Sequence, residues 1–565
     1  MHLDRPLTVQ SDATVLLEVA SPCATVARDA LVRFAELEKS PEHVHTYRIT
    51  PLSLWNAAAS GLSSEDIVAA LSQYSRYELP ANVVRDIAEY VSRYGRVRLL
   101  RRGDELLLVS DDRALIAEIA THPATRPCLA EGLSDTELPI RPGMRGHVKQ
   151  ALLRVGYPAE DLAGYVRGED LQLSLRTVTL GSATLRLRDY QMEAAEVFHA
   201  GGTARGGSGI IVLPCGAGKT LVGMAVMAAT ECSTLILTPN TVAVRQWIDE
   251  LLDKTTLEPE QIGEYTGLAK DIRPVTVSTY QILTHRKSRA PEAEFTHFSL
   301  FDARDWGLVI YDEVHLLPAP IFRITADLQA RRRLGLTATL VREDGREGDV
   351  FSLIGPKKYD VPWKDLERQG WIATACCHEV RIPLPDDLRM EYATAQRRHQ
   401  YAVAAHNPAK LEVLKALLGR HNGANTLVIG TYLDQLERVA EELGAPLITG
   451  KTPVARRREL FEQFRRQEVR LLVLSKVGNF SIDLPDANVA IEISGTFGSR
   501  QEEAQRLGRI VRPKKDGSQA HFYTLVTRDT VDQTFAANRQ RFLTEQGYAY
   551  EILYGDEVLQ HAQTL

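Results

Sequence analysis

A chain of 565 residues, 44% hydrophobic and 25% charged with a formal net charge of −6, is long enough for several domains with separate cores. Its composition is that of an ordinary globular protein. No apolar run approaches the roughly 20 residues that span a bilayer, and the N-terminus carries acidic residues early with no apolar stretch after a basic start, which excludes an evident secretory signal. The six cysteines (Cys23, Cys128, Cys215, Cys232, Cys376 and Cys377) form no CxxC pair. That pattern favours reduced thiols in a cytoplasmic protein without a structural metal. Basic clusters at 96–102, 331–333, 397–398, 456–458 and 514–515 read first as solvated helix faces, so charge alone does not select a partner.

Residues 1–125 read as a small mixed α/β unit, with helical periodicity over Ser64–Ser72 and Ala81–Arg93 and a hairpin over Arg96–Leu108 around Gly103-Asp104. A second small unit, 126–180, has helical spacing in Val148–Gly156 and a strand-like end in Leu171–Leu180. From 181 to 372 the pattern changes to short apolar runs between helices: Gly209–Leu213, Thr234–Thr238, Val275–Ser278, Gly307–Tyr311 and Arg333–Thr337. Such runs predict a parallel sheet covered on both faces. The alternation recurs over 373–565, with strands at Thr426–Ile429, Pro446–Thr449, Arg470–Leu474, Val489–Ile493 and Ala520–Val526, and helices at Pro408–Leu418, Leu433–Leu443, Pro453–Arg466 and Ser499–Leu507. The predicted fold class is α/β: two tandem doubly wound parallel-sheet domains behind a mixed α/β N-terminal region.

The run Gly209–Leu213 leads into Pro214, Cys215, Gly216, Ala217, Gly218, Lys219 and Thr220 (PCGAGKT), and a helix follows. A loop between strand and helix presents backbone N–H groups to a phosphate at the positive end of the helix. Lys219 is placed to reach the β- and γ-phosphates of ATP, and the Thr220 hydroxyl to bind Mg²⁺. The strict consensus has glycine where Leu213 stands. LVIYDEVH is a buried strand ending in two acids: Asp312 to hold Mg²⁺ and Glu313 to orient and deprotonate the attacking water. His315 in this motif, with Thr337 and Thr339 of Gly335–Thr339 (GLTAT), is assigned to coupling, although capping would also use the threonines. In LRDYQ (187–191), Gln191 can give a paired hydrogen bond to an adenine edge and Arg188 can support the base or a phosphate. In QRLGRIVR (505–512), Arg509 and Arg512 lie three apart on one face of a turn, a whole domain away from the P-loop. Guanidiniums brought across a cleft stabilise charge on a transferring phosphoryl group, and Gln505 would contact the γ-phosphate or the water. A nucleotide site split between two domains is the mark of a motor.

These motifs, in this order, resemble the XPB-type DNA helicases of superfamily 2, in a prokaryotic form. The resemblance rests on LRDYQ, DEVH, GLTATLVRED (335–344), GPKKYDVPWKDLERQGWIA (355–373), SKVGNFSIDLPDANV (475–489) and EEAQRLGRIVRPK (502–514). It implies RecA-like motor domains and ATP-dependent 3′→5′ translocation on or opening of DNA, in excision repair or promoter opening; forked or single-strand/duplex junction DNA is the expected substrate, and a repair nuclease is a candidate partner. It implies an XPB-like accessory domain in 1–125 and a damage-recognition-like one in 126–180. It also implies a DNA backbone track at Thr238-Pro239, Arg245, Gln246-Trp247 and Ser278-Thr279, continued by Thr431 and Ser475–Gly478, including Lys476 and Gly478. Arg342, Glu343 and Asp344, with a single thumb helix over Glu391–Ala405, would form a strand-splitting wedge. Two other readings stand beside this one: a duplex translocase that separates no strands, and an ATP-gated scaffold that recruits a nuclease.

Overall fold

The computed structural model describes residues 4–562 apart from 42, 133, 215, 286–295, 319–320, 323–324, 326–327, 329–330, 339–346, 362, 372–374, 476–486, 496–518, 546–547 and 549. The chain opens with an antiparallel sheet of β1 (Leu7–Val9), β2 (Thr14–Glu18), β3 (Glu36–Lys39) and β4 (Val44–Arg48), in the order β1-β2-β4-β3. Helices Pro51–Ala59 and Ser64–Tyr74 are each started by a reciprocal cap, Thr50 with Ser53 and Ser63 with Asp66. Such a cap satisfies two backbone donors that the first turn leaves open. The core of this domain gathers Val15, Leu17, Tyr47, Ile67, Leu71 and Ile87.

A second sheet joins β5 (Val97–Arg102), β6 (Glu105–Val109), β7 (Glu137–Ile140) and β8 (Ala159–Asp161) in the order β7-β6-β5-β8. The expected hairpin is present, turning at Gly103 with φ +61°. Its outer edges take β7 and β8 as neighbours, so the boundary expected at 125 falls inside a sheet and this domain begins near residue 97. Behind the sheet, Asp161 receives both Arg145 (2.7 Å) and Lys149 (3.1 Å), all three side chains under a tenth exposed. Burial, opposed by the Asp161 carboxylate, pushes the Lys149 ammonium down to about 7. The strand expected over Leu171–Leu180 is instead a strap along the first motor domain. It makes only isolated bridges, Leu175 to Thr255 and Val178 to Thr184. Gly168 and Gly307 pass so closely that a Cβ on either would lie 2.3 Å from the other segment's backbone.

The first motor sheet contains β9 (Ser208–Val212), β10 (Thr234–Thr238), β11 (Ile262–Tyr265), β12 (Val275–Thr279), β13 (Leu308–Asp312), β14 (Arg332–Thr337) and β15 (Lys357–Asp360). All are parallel, ordered β11-β12-β10-β13-β14-β9-β15. The second holds β16 (Ala375–Ile382), β17 (Thr426–Gly430), β18 (Leu447–Ile448), β19 (Leu471–Ser475), β20 (Val489–Glu492), β21 (Ala520–Thr527) and β22 (Tyr550–Tyr554), again all parallel, ordered β18-β19-β17-β20-β21-β16-β22. The two doubly wound sheets are as expected, each two strands wider than the apolar runs indicate. The thumb region differs. Its single helix is two, Asp386–Thr394 and Arg397–Ala405, broken at Ala395-Gln396. The second is anchored in the domain by buried Tyr401, which stands edge-on to Phe535 (4.9 Å) and donates to the Gly495 carbonyl. The helix expected over 499–507 lies outside the described residues.

Candidate nucleotide site

At the C-terminal end of the first motor sheet, Leu213 leaves β9 by donating its N–H to the Thr337 carbonyl (2.9 Å). The chain turns through Gly216 and Gly218, both left-handed at φ +83° and +81°. Gly218 is required twice over, because a Cβ there would lie 2.5 Å from Gln191 Nε2. Gly218 also N-caps helix Lys219–Thr230, and no side chain caps the first turn. The N–H groups of that turn, at the positive end of a 12-residue helix, suit an anion.

Lys219 Nζ lies 3.3 Å from Glu313 Oε1, with both side chains under a fifth exposed. Glu313 follows β13 in a left-handed conformation, φ +50°, which turns its carboxylate back toward the P-loop. Burial would raise the Glu313 carboxyl, yet Lys219 foremost, then His315, hold it below the usual carboxylate range. Asp312 behaves oppositely. Burial and the adjacent Glu313 carboxylate push it up to about 6, against the pull of Trp247 and Lys219. Its Oδ2 accepts from the Trp247 indole N–H (2.9 Å) and its backbone carbonyl from the Tyr280 hydroxyl (2.7 Å). His315 Nδ1 sits 2.7 Å from Thr337 Oγ1 and 3.5 Å from the second Glu313 oxygen. Adjacent parallel strands thus bring the carboxylate, the imidazole and the β14 hydroxyl together.

The helix Asp189–His199 begins at Arg188, and its first turn clamps the P-loop. The Tyr190 hydroxyl and the Gln191 amide both donate to the Ala217 carbonyl at 2.8 Å, and Gln191 Oε1 accepts from the Arg188 N–H at 3.0 Å. Gln191, 3% exposed, therefore braces the loop. Thr220 is half-buried in the first turn of the P-loop helix.

The expected DNA track divides. Arg245 and Gln246 are exposed on helix Thr241–Lys254. Thr238 and Thr279 are not available as side chains. They end central strands: the Thr238 hydroxyl donates to the Ser278 and Asn240 carbonyls (3.1 Å each), and Thr279 caps Ile282 (3.3 Å). Ser278 is buried likewise, donating to the Tyr265 carbonyl (2.7 Å). Trp247, 2% exposed, belongs to the wall behind Asp312, not to a surface. Thr431 is half-buried, its hydroxyl donating to the Ser494 and Gly495 carbonyls (3.3 and 3.0 Å). Cys215, Thr339, Arg342, Glu343, Asp344, Lys476, Gly478, Gln505, Arg509 and Arg512 lie outside the described residues. Sequence reasoning missed Trp247 as the Asp312 donor. A tryptophan in an amphipathic helix reads as core, and no spacing ties it to an acid 65 positions on.

A P-loop latched to a DEVH strand end on one parallel sheet, followed in the chain by a second sheet of the same construction, defines a superfamily 2 helicase with tandem RecA-like domains. Family comparison agrees along the chain. Residues 366–565 match the ERCC3/RAD25/XPB C-terminal helicase, 184–342 the type III restriction enzyme res subunit, and 7–134 a helicase conserved C-terminal domain. The DNA 3′-5′ helicase XPB of Mycobacterium tuberculosis is 57% identical over 98% of this chain and 99% of its own length. That of Kineococcus radiotolerans is 55% identical over 98% and 97%. The general transcription and DNA repair factor IIH helicase/translocase subunit XPB/SSL2 of Saccharomyces cerevisiae is 32% identical over 98% of this chain and 72% of that one. The chain belongs to the XPB family of DNA helicases. Among solved structures, the Pyrococcus furiosus Hef helicase domain is 16% identical with a TM-score of 0.42, covering 62% of this chain and 97% of that one. Among the described residues no helix is long and apolar enough to cross a membrane.

Proposed function

We propose that this chain is an ATP-dependent DNA helicase that moves 3′→5′ and opens DNA at forks or single-strand/duplex junctions during excision repair in the cytoplasm, together with a repair nuclease. Family membership over nearly the whole chain supports the activity. The observation that carries the chemistry is the 3.3 Å latch between Lys219 and Glu313. A triphosphate competes for the Lys219 ammonium. As Lys219 leaves, Glu313 loses the cation that holds its carboxyl acidic and becomes a stronger base for a water proton. The site fits a nucleotide with Mg²⁺. Its helix turn is uncapped, Gly218 leaves no room for a side chain, and the raised Asp312 carboxyl is a buried acid that a cation would relieve. Thr220 and Asp312 would hold the metal, which when bound supplies positive charge to the phosphates.

His315 shares its Nδ1 between Glu313 and Thr337, so a shift of Glu313 is felt at the end of β14, where the chain continues toward Arg342–Asp344. Arg509 and Arg512 would close on the phosphates from the second domain, with Gln505 beside the water. Arg245, Gln246, Thr431, Lys476 and Gly478 would follow the DNA backbone, contacts that suit a motor because a phosphate looks alike at every step.

The test measures ATP hydrolysis without nucleic acid and with single-stranded, duplex and forked DNA and RNA, alongside strand displacement from 3′- and 5′-tailed forks. DNA should stimulate turnover, and a 3′ tail should support displacement where a 5′ tail does not. Lys219→Ala and Glu313→Gln should both abolish stimulated turnover, the second while still binding ATP. Wild-type turnover by Glu313→Gln would overturn the mechanism. Stimulated turnover without displacement of any fork would make the protein a duplex translocase.

A further inference from the structure

A tryptophan outside the P-loop and DEVH motifs stands against Arg188. Trp371 follows helix Trp363–Arg368 in the last stretch of the first motor domain before β16. Its backbone N–H donates to the Leu366 carbonyl (2.9 Å) and its indole N–H to Gln369 Oε1 (3.1 Å). The ring is 38% exposed, unusual for a side chain of this size. It does not fill the core, but it has one specific neighbour. The Arg188 guanidinium carbon lies 4.5 Å from its ring centroid. The same guanidinium donates through Nη1 to the Tyr190 hydroxyl (3.0 Å), which in turn donates to Ala217 of the P-loop (2.8 Å). Trp371, Arg188, Tyr190 and Ala217 therefore form one connected line into the phosphate loop.

A free arginine must lose rotamer freedom before it can present a flat face. Stacking on an indole and bonding to a phenol remove most of that freedom in advance. Arg188 is only half-buried, so a planar ring can lie against it. Gln191 cannot supply this surface, since its amide is already braced against Ala217 and Arg188.

We infer that Trp371 is a positioning residue for the nucleobase: it fixes the Arg188 guanidinium as a shelf on which the base of a bound nucleotide stacks. This rests on the reading of the P-loop as an ATP site. Stacking is tolerant of base identity because every base has a π-face. The shelf therefore contributes affinity and not the choice of base.

The experiment compares wild type, Trp371→Ala and Trp371→Phe in the full chain with stimulating DNA. It reads the KM and kcat for ATP and the inhibition constant of inorganic tripolyphosphate, which offers phosphates but no base. Trp371→Ala should raise the KM for ATP about three- to tenfold, change kcat far less, and leave tripolyphosphate inhibition where it was. Trp371→Phe should recover most of the loss, since a ring is what the shelf needs. An unchanged KM in Trp371→Ala would overturn the inference, as would an equal weakening of tripolyphosphate, which would make Trp371 part of the fold alone. Lys219→Ala, which should not turn over, separates the two readings by equilibrium binding of ATP and of tripolyphosphate. It should lose ATP and tripolyphosphate together, and if it kept both, the assignment of the P-loop would fail independently of the shelf.

Discussion

Replacing Trp247 with Phe removes one N–H from a buried indole and keeps an aromatic ring in the wall. That N–H donates to Asp312 Oδ2 at 2.9 Å, and a hydrogen bond to an ionised acceptor contributes about 1.5–3 kcal/mol. Asp312 already sits at about 6, pushed there by burial and Glu313. Because one pKa unit corresponds to about 1.4 kcal/mol, losing the bond should lift Asp312 by roughly one to two units, to or past neutrality. The form that can hold Mg²⁺ is the carboxylate, which is present above the pKa and lost as pH falls through it. The Mg²⁺ concentration that half-saturates DNA-stimulated ATP hydrolysis should then rise about two- to tenfold at pH 7, in proportion to the lost carboxylate. At about pH 9 wild type and variant should converge, because both carboxyls are then ionised. A packing defect from the smaller ring would act alike at every pH, so the convergence is the decisive reading. Equal Mg²⁺ requirements near neutrality would refute the reasoning.

The Lys149 ammonium, pushed down to about 7 from 10.5, gives a second pH signature. Between these values the unfolded chain holds a proton that the folded chain has released, so stability should climb as pH rises from about 7 toward 10. Lys149→Met should remove that climb while costing little at neutral pH, because Arg145 still pairs with Asp161; denaturant titrations across this range would show it, and an unchanged slope would refute it. His315→Ala breaks the link between Glu313 and Thr337. It should leave basal ATP hydrolysis largely intact and cut DNA stimulation about tenfold, a coupling loss of ordinary size. Intact stimulation would remove His315 from the coupling path.

The chemistry of this protein is legible where it is local. PCGAGKT and DEVH each place their groups by strand, turn and helix over a few residues, and in the structure Lys219 lies 3.3 Å from Glu313. The missed strands have composition as their reason. β15 (KKYD) and β11 (IGEY) are edge strands with half-exposed polar residues, and β16 (ACCHEVRI) carries a histidine and a glutamate inside a sheet. Such segments lack the continuous apolar run that marks a central parallel strand. The resemblance puts Thr238 and Thr279 on the DNA track, and their sequence does not tell that their hydroxyls are engaged at the strand ends. Only the three-dimensional neighbours, Ser278 and Ile282, reveal it. The domain boundary failed for a related reason: the hairpin of β5 and β6 looks complete alone, and nothing in its sequence announces that β7 and β8 will border it.

The N-terminal domain has a foothold on each half of the motor. On the first, Asn56 Oδ1 accepts from the Lys357 N–H at 3.0 Å and Asp29 faces Arg368 at 3.8 Å; on the second, β3 packs along helix Val531–Glu545. A brace fixed at both ends cannot follow two bodies that rotate apart. A relative rotation of the two motor domains would therefore shear one foothold or flex the brace. Whatever grips or releases that small domain would set the load against which the engine runs.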